Sequence, residues 1–222
     1  MSAPRTTIGA GEPFQARMRT PFATLGIATD GRAVTRVAYL APSVPESPPA
    51  DAIAERAVRE LARYLDDPAF RFTLPLAPAG TPFRHRVRDA ILDIPAGESR
   101  TYGELARKLV TAARAVGQAC GANPIALMVP CHRVVGSFGA LGGFMGRPGT
   151  VAPSSADDLF AKSGSDPIFA KSGSDPIFAG SLPTGGADRR GKMGSDPDFA
   201  ARHFATAIKR WLLTHEGYRF GR

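Results

Sequence analysis

The chain has 222 residues, 43% of them hydrophobic, enough to bury one substantial core or two small ones. Twenty-eight Lys and Arg against 20 Asp and Glu leave a net charge of +8, which suits a polyanion such as nucleic acid and equally a merely soluble surface. Two cysteines exclude a disulfide framework and a Cys-rich zinc site. The stretch MSAPRTTIGAGEPF carries no apolar signal core and no uninterrupted apolar run reaches about 18 residues, so a protein of the reducing cytoplasm, away from membranes, is expected.

Residues 22–40, FATLGIATDGRAVTRVAYL, alternate apolar and polar positions on either side of Asp30-Gly31 and predict a β-hairpin closed by a tight primed turn. The Pro/Ser-rich APSVPESPPA is a linker. DAIAERAVRELARYLDD then places Ile53, Ala57, Leu61 and Leu65 on one helical stripe, and FRFTLPL, 70–76, reads as a further strand. Residues 1–78 are therefore expected to form a small α+β domain.

From Thr81 the pattern is helical. Thr81 caps, Pro82 fits the first turn, and Phe83, Val87, Ala90, Ile91 and Ile94 form a core stripe ended by Pro95. After the turn PAGES, Thr101 and Glu104 stand at capping-box spacing at the head of TYGELARKL. A second short helix, AARAVGQAC, follows the connection Leu109-Val110-Thr111, which holds neither glycine nor proline. Two helices joined so tightly predict a helix-turn-helix. On the second, Ala113, Val116, Gly117 and Cys120 share one face, and Arg114 and Gln118 another. The pattern fits a DNA-contacting helix whose arginine reaches into the duplex, and it also fits an ordinary helical hairpin with a solvated arginine.

The segment 148–204 differs in composition. KSGSDPIFA occurs at 162–170 and again at 171–179, and GSDPDFA returns at 194–200. This period is too short and too seldom repeated for a solenoid, so a disordered insertion is expected, a tolerated loop expansion rather than a repeated docking motif. In DFAARHFATAIKRWLLTHEG, Phe204, Ile208, Trp211 and Leu212 form a helical stripe that ends at Gly217.

Cys120 falls on the packing face of its helix and reads as a small buried hydrophobe. Cys131 follows the strand-like apolar run IALMV and Pro130, and precedes His132, Arg133 and a glycine-rich loop. A thiol becomes a nucleophile when something takes its proton, and an imidazole oriented by a carboxylate is the common arrangement. His132 is a neighbour in sequence, so a bridging water can carry the proton, while the carboxylate must come from elsewhere.

PCHRV at 130–134, preceded by TYGELA at 101–106 and AARAVGQACGANP at 112–124 and followed by KRWLLTHEG at 209–217, closely resembles the O6-alkylguanine-DNA alkyltransferase family. The likeness is strong over 79–147 and 205–222 and weak over the N-terminal part. It implies an α+β fold: a ribonuclease H-like domain at 1–78, then a mostly helical, winged helix-turn-helix-like alkyltransferase domain at 79–147 plus 205–222, interrupted by the insertion at 148–204.

What the resemblance implies about function is direct transfer of an alkyl group from O6-alkylguanine, and from O4-alkylthymine, in duplex DNA to Cys131, once per molecule, with no cofactor and no metal. His132, paired with Glu216 of THEG, would deprotonate the thiol. Asn123 would hold the turn before the active segment, and Tyr102 would donate to the guanine as its alkyl group leaves. Val134, Phe144 and Met145 would line the base pocket. Arg114 would fill the space left by the flipped nucleotide, with Thr101, Ala112, Ala113, Gly117, Gln118 and Ser137 along the minor groove. A monomer is expected. Phe144 stands where many members have tyrosine, and Arg88 where tryptophan is frequent in bacterial relatives. Two rival classes remain: a non-catalytic sensor of alkyl damage, against which Cys131 argues, and a cysteine hydrolase, which leaves the DNA motifs unexplained.

Overall fold

The structure, a computed structural model, describes residues 14–141, 144 and 197–220, with backbone alone for 197–203. Three antiparallel strands, β1 (Ala16–Arg19), β2 (Thr24–Thr29) and β3 (Val34–Leu40), form a sheet in sequence order, with Arg17 opposite Gly26 and Gly26 opposite Ala38. The hairpin lies where alternation predicted it, but its loop is Asp30–Ala33 rather than a two-residue primed turn. The Asp30 carboxylate accepts from the amides of Arg32 and Ala33, and this side-chain cap stabilises the wider loop. Strand β1 is an addition that sequence reading did not supply.

Helix α1 (Ala52–Asp66) starts at Asp51, whose carboxylate accepts the Ala54 amide at 2.8 Å and the Thr29 hydroxyl at 2.5 Å, fixing the helix to the end of β2. Its buried face is Ala54, Ala57, Leu61 and Tyr64; the expected stripe is rotated, leaving Ile53 and Leu65 at its margins. Glu60 is buried too, held by Arg56 and by both the amide and hydroxyl of Thr73. That contact explains why 70–76 is not the strand expected: the Thr73 amide is committed to a side chain and Pro75 has none to donate. Only a single bridge, Val34 to Leu76, remains.

The second half begins at α2 (Pro82–Leu92), capped by Thr81 as expected. Strand β4 (Arg100–Thr101) leads directly into α3 (Tyr102–Leu109), where Thr101 and Glu104 form the predicted capping box. Val110 ends α3 in the left-handed region, φ 52°, with bonds from its own amide to Arg107 O and from the Thr111 amide to Ala106 O. This is a Schellman arrangement with valine where glycine is usual. Helix α4 (Ala113–Gly121) packs Val116 and Cys120 inward, whereas Ala113, expected on the same face, is exposed in its first turn. The last helix, α5 (Pro197–His215), covers the stretch from Asp198 read as helical and so includes the last residues of the 148–204 segment; Phe204, Ile208 and Leu212 are buried. The rest of the expected insertion lies outside the described residues.

IALMV, 125–129, is not a strand. Val37 joins it through two bonds, to Pro124 O and from the Ala126 amide, after which Leu127 turns to φ 68°. One continuous apolar core runs from the sheet and α1 through this segment to α2, α4 and α5. Among the described residues no helix is long and apolar enough to cross a membrane.

Candidate active site

Asn123, just after α4, organises the segment that ends in Cys131. Its Nδ2 donates to Val129 O at 3.2 Å and to Ile125 O at 3.4 Å and lies 3.5 Å from Cys131 Sγ, while its Oδ1 accepts the Ile125 amide. Pro130 halts the chain, Cys131–Arg133 form one 3-10 turn, and β5 (Val134–Val135) pairs in parallel with β4. That pairing sets Arg100 opposite Val134 and Thr101 opposite Val135.

His132 is wholly buried, and its Nε2 lies 2.9 Å from Oε1 of Glu216, which is also buried and follows α5. The carboxylate has two further partners: Arg133 donates Nη2 to Oε1 at 2.7 Å and Nε to Oε2 at 2.9 Å, and the Tyr64 hydroxyl donates to Oε1 at 2.7 Å. Arg133 also donates to Ile94 O, tying the end of α2 to the group. Gly97 of the PAGES turn sits close enough to Glu216 O that a Cβ there would lie 2.9 Å away, and its φ of 80° also favours glycine.

The ionisation states follow from these contacts. Burial pushes the Glu216 carboxyl up, but His132 and Arg133 outweigh it and hold it down at about 2. An ionised carboxylate only accepts, so His132 Nε2 carries the hydrogen. Burial lowers the basicity of the imidazole against the pull of Glu216, which leaves Nδ1 as the free lone pair of a neutral ring. That Nδ1 is buried with no hydrogen-bond partner among the described residues. Burial raises the Cys131 thiol, while Asn123 and Lys209 favour the thiolate. The site at rest is thus thiol, neutral imidazole and carboxylate, an arrangement able to take one proton from sulfur as the sulfur attacks.

Asn123 meets Cys131 and Glu216 meets His132, so these four residues lie in one group. Tyr102 is half-buried near both cysteines, its phenol kept protonated by burial and by the charge either thiolate would carry. Gly117 faces its ring, a Cβ there reaching van der Waals contact at 3.9 Å. Ala112, Ala113, Arg114, Gln118 and Ser137 are exposed, and Thr101 is occupied as a helix cap. Phe144 is buried at 6.0 Å from the Tyr39 ring, and Met145 lies outside the described residues.

Three residues of the site escaped the sequence reading. Arg133 and Tyr64 share the carboxylate. Lys209 is fully buried and donates Nζ to Val134 O at 2.7 Å and to Leu141 O at 2.6 Å, so one lone pair of the Val134 carbonyl, in a residue expected to line the base pocket, is already engaged. Burial lowers the Lys209 ammonium to about 8. A signal for it existed: Lys209 stands four residues after Ala205 and three before Leu212, on the apolar stripe of α5.

A buried free cysteine thus stands next in the chain to an imidazole held by a buried carboxylate. Residues 82–155 match the family model described as 6-O-methylguanine DNA methyltransferase, DNA binding domain. Methylated-DNA–protein-cysteine methyltransferase of Mycobacterium tuberculosis is 41% identical over 133 residues, 57% of this chain and 81% of that protein. Its namesake in Methanosarcina acetivorans is 48% identical over 90 residues, 40% of this chain, which spans only 58% of that relative's length. A crystal structure of Mycobacterium tuberculosis OGT in complex with DNA is similar with a TM-score of 0.50 and 38% identity, covering 58% of this chain and 82% of that one. The chain belongs to the methylated-DNA–protein-cysteine methyltransferase family.

Proposed function

We propose that this protein repairs DNA by moving the alkyl group of O6-alkylguanine, or of O4-alkylthymine, to Cys131, once per molecule. The observation that carries the reading is the Cys131–His132 turn with Glu216 fixed on Nε2, which leaves a buried imidazole lone pair next to the cysteine in sequence. Sγ attacks the alkyl carbon, the S–C bond forms, the C–O6 bond breaks, and the electron pair goes to the base. The thiol proton passes to His132 Nδ1, directly or through one water, and Glu216 stabilises the imidazolium. Tyr102 donates to the departing base, which spreads the developing charge. The thioether product leaves no thiol to regenerate, so the protein acts as a stoichiometric reagent without cofactor.

An alkylated base inside a stacked duplex is out of reach of a buried thiol. The nucleotide must be flipped, at a cost of a few kcal/mol. In this reading α3 and α4 form a helix-turn-helix laid along the minor groove, with Arg114 filling the gap and Ala112, Ala113, Gly117, Gln118, Thr101 and Ser137 against the backbone. Val134 O, Phe144 and Met145 line the base pocket. The N-terminal sheet and α1 correspond to the ribonuclease H-like unit. The protein works as a monomer in the cytoplasm. Incubation with a duplex containing O6-methylguanine followed by intact-mass measurement tests the proposal: one methyl on Cys131 supports it, and binding without mass change would instead support a damage sensor.

A further inference from the structure

Resting on that reading, we infer that Tyr64 is a positioning residue for transfer, reaching from the N-terminal unit to the carboxylate that holds His132. Its hydroxyl donates to Glu216 Oε1 at 2.7 Å across 152 residues of sequence, with both groups buried. The ring is held on two sides, 5.7 Å from Phe72 and 5.6 Å from His215, and the Tyr64 carbonyl lies 3.1 Å from His215 Nε2. Helix α1 is thereby bound by side chain and backbone to the chain end that carries Glu216.

The chemistry lies in the sharing of one oxygen. Oε1 receives His132 Nε2, Arg133 Nη2 and the Tyr64 hydroxyl together, although a carboxylate oxygen offers two good lone-pair directions. Each donor reduces what the oxygen gives the others. Tyr64 thus restrains the pull of Glu216 on the imidazole hydrogen, keeping His132 neutral and its ring in one orientation. Without the hydroxyl, Oε1 would favour the imidazolium more strongly, and His132 would hold its proton to higher pH.

The other charged or titratable groups around the pair do not substitute for this effect. Arg133 from the same turn and Lys209 from α5 both oppose protonation of His132, and each keeps its own partners. Tyr39 from β3 is buried with its hydroxyl unpartnered among the described residues, and burial with the charges of Cys131, Tyr64 and Glu216 keeps it neutral. His215 contacts Tyr64 by ring and by backbone and, among the described residues, makes no hydrogen bond to the carboxylate oxygens.

The test is the pH profile of methyl transfer in the full chain, from duplex O6-methylguanine, followed by intact mass between pH 4.5 and 9. Tyr64→Phe should move the acidic midpoint upward by about half a pH unit and lower the plateau rate several-fold. Phe72→Leu, which alters the packing against the same ring and against Phe70 but leaves the hydroxyl in place, should leave the midpoint unmoved. Site-specific 3-fluorotyrosine at 64, a stronger donor of nearly the same shape, should move the midpoint downward and serves even where the Phe variant fails to fold. An unmoved midpoint in the folded variants, whatever the rate, would overturn the inference and leave Tyr64 as packing. Absence of methylation in the wild-type protein would overturn the parent reading instead.

Discussion

Cys120 on α4 and Cys131 in the turn after Pro130 are both buried thiols, and burial raises both, Cys120 to about 12. Neither is a free thiolate at rest, and Lys209 favours the ionised form of each. What separates them is the neighbourhood: Cys131 has Asn123 on its sulfur and an imidazole next in the chain whose far nitrogen is fixed by Glu216, whereas Cys120 lies on the packing face of a helix. In the proposed transfer, reactivity is set by a proton acceptor held in place, not by an acidic thiol.

The two cysteines should differ most under substitution. Cys131→Ser should abolish methyl transfer while damaged-duplex binding persists, and Cys120→Ser should stay near wild type, both read by intact mass and a binding titration. Loss of transfer in the Cys120 variant alone would reverse the assignment.

Glu216→Gln removes the group that distinguishes the two environments. Transfer should fall by about 10²-fold or more, in line with general-base contributions. The same substitution strands Arg133, which sits largely buried on that carboxylate, and should destabilise the fold by roughly 3–5 kcal/mol. The pH dependence carries its own sign. Glu216 is held down at about 2 in the fold against 4.5 for the free group, so its stabilisation is complete above 4.5 and is lost as pH falls through that value toward about 2. Urea unfolding of wild type should weaken across this window more than unfolding of the Gln variant.

Arg114→Ala asks whether α4 serves Cys131 through DNA rather than through Cys120. Transfer from duplex should slow by about tenfold, while transfer from the free base O6-benzylguanine, which needs no extrusion, should be unchanged. Equal losses on both substrates would place Arg114 in folding or the pocket.

The smallest effect concerns the turn that sets α4. Val110 is 91% exposed at φ 52°, so Val110→Gly relieves a left-handed β-branched residue without removing a buried contact. Thermal unfolding should show a gain of roughly 0.5–1 kcal/mol, with transfer from duplex unaltered.

Much of the local structure was legible in the sequence because it is decided within a few residues. Thr81 and Pro82 start α2, Thr101 and Glu104 close a capping box, and Asp30-Gly31 marks the hairpin loop. The ordered motifs from TYGELA to THEG named the family and four residues of the site. Errors arose where a distant partner competes with local propensity. FRFTLPL has strand composition, but Glu60 takes the Thr73 amide; IALMV has it too, but Asn123 holds that segment in a turn.

Local rules along the chain were enough for the helices, the hairpin and the presence of a thiol, an imidazole and a carboxylate in the right motifs. That Tyr64, Arg133 and His132 meet on one carboxylate, and that Lys209 lies buried on the Val134 and Leu141 carbonyls, came from the packed fold alone. Periodicity and capping rules reach about one helical turn, whereas Tyr64 and Glu216 are 152 residues apart. Packing of one core brings such groups together, and their burial then makes each hydrogen bond obligatory.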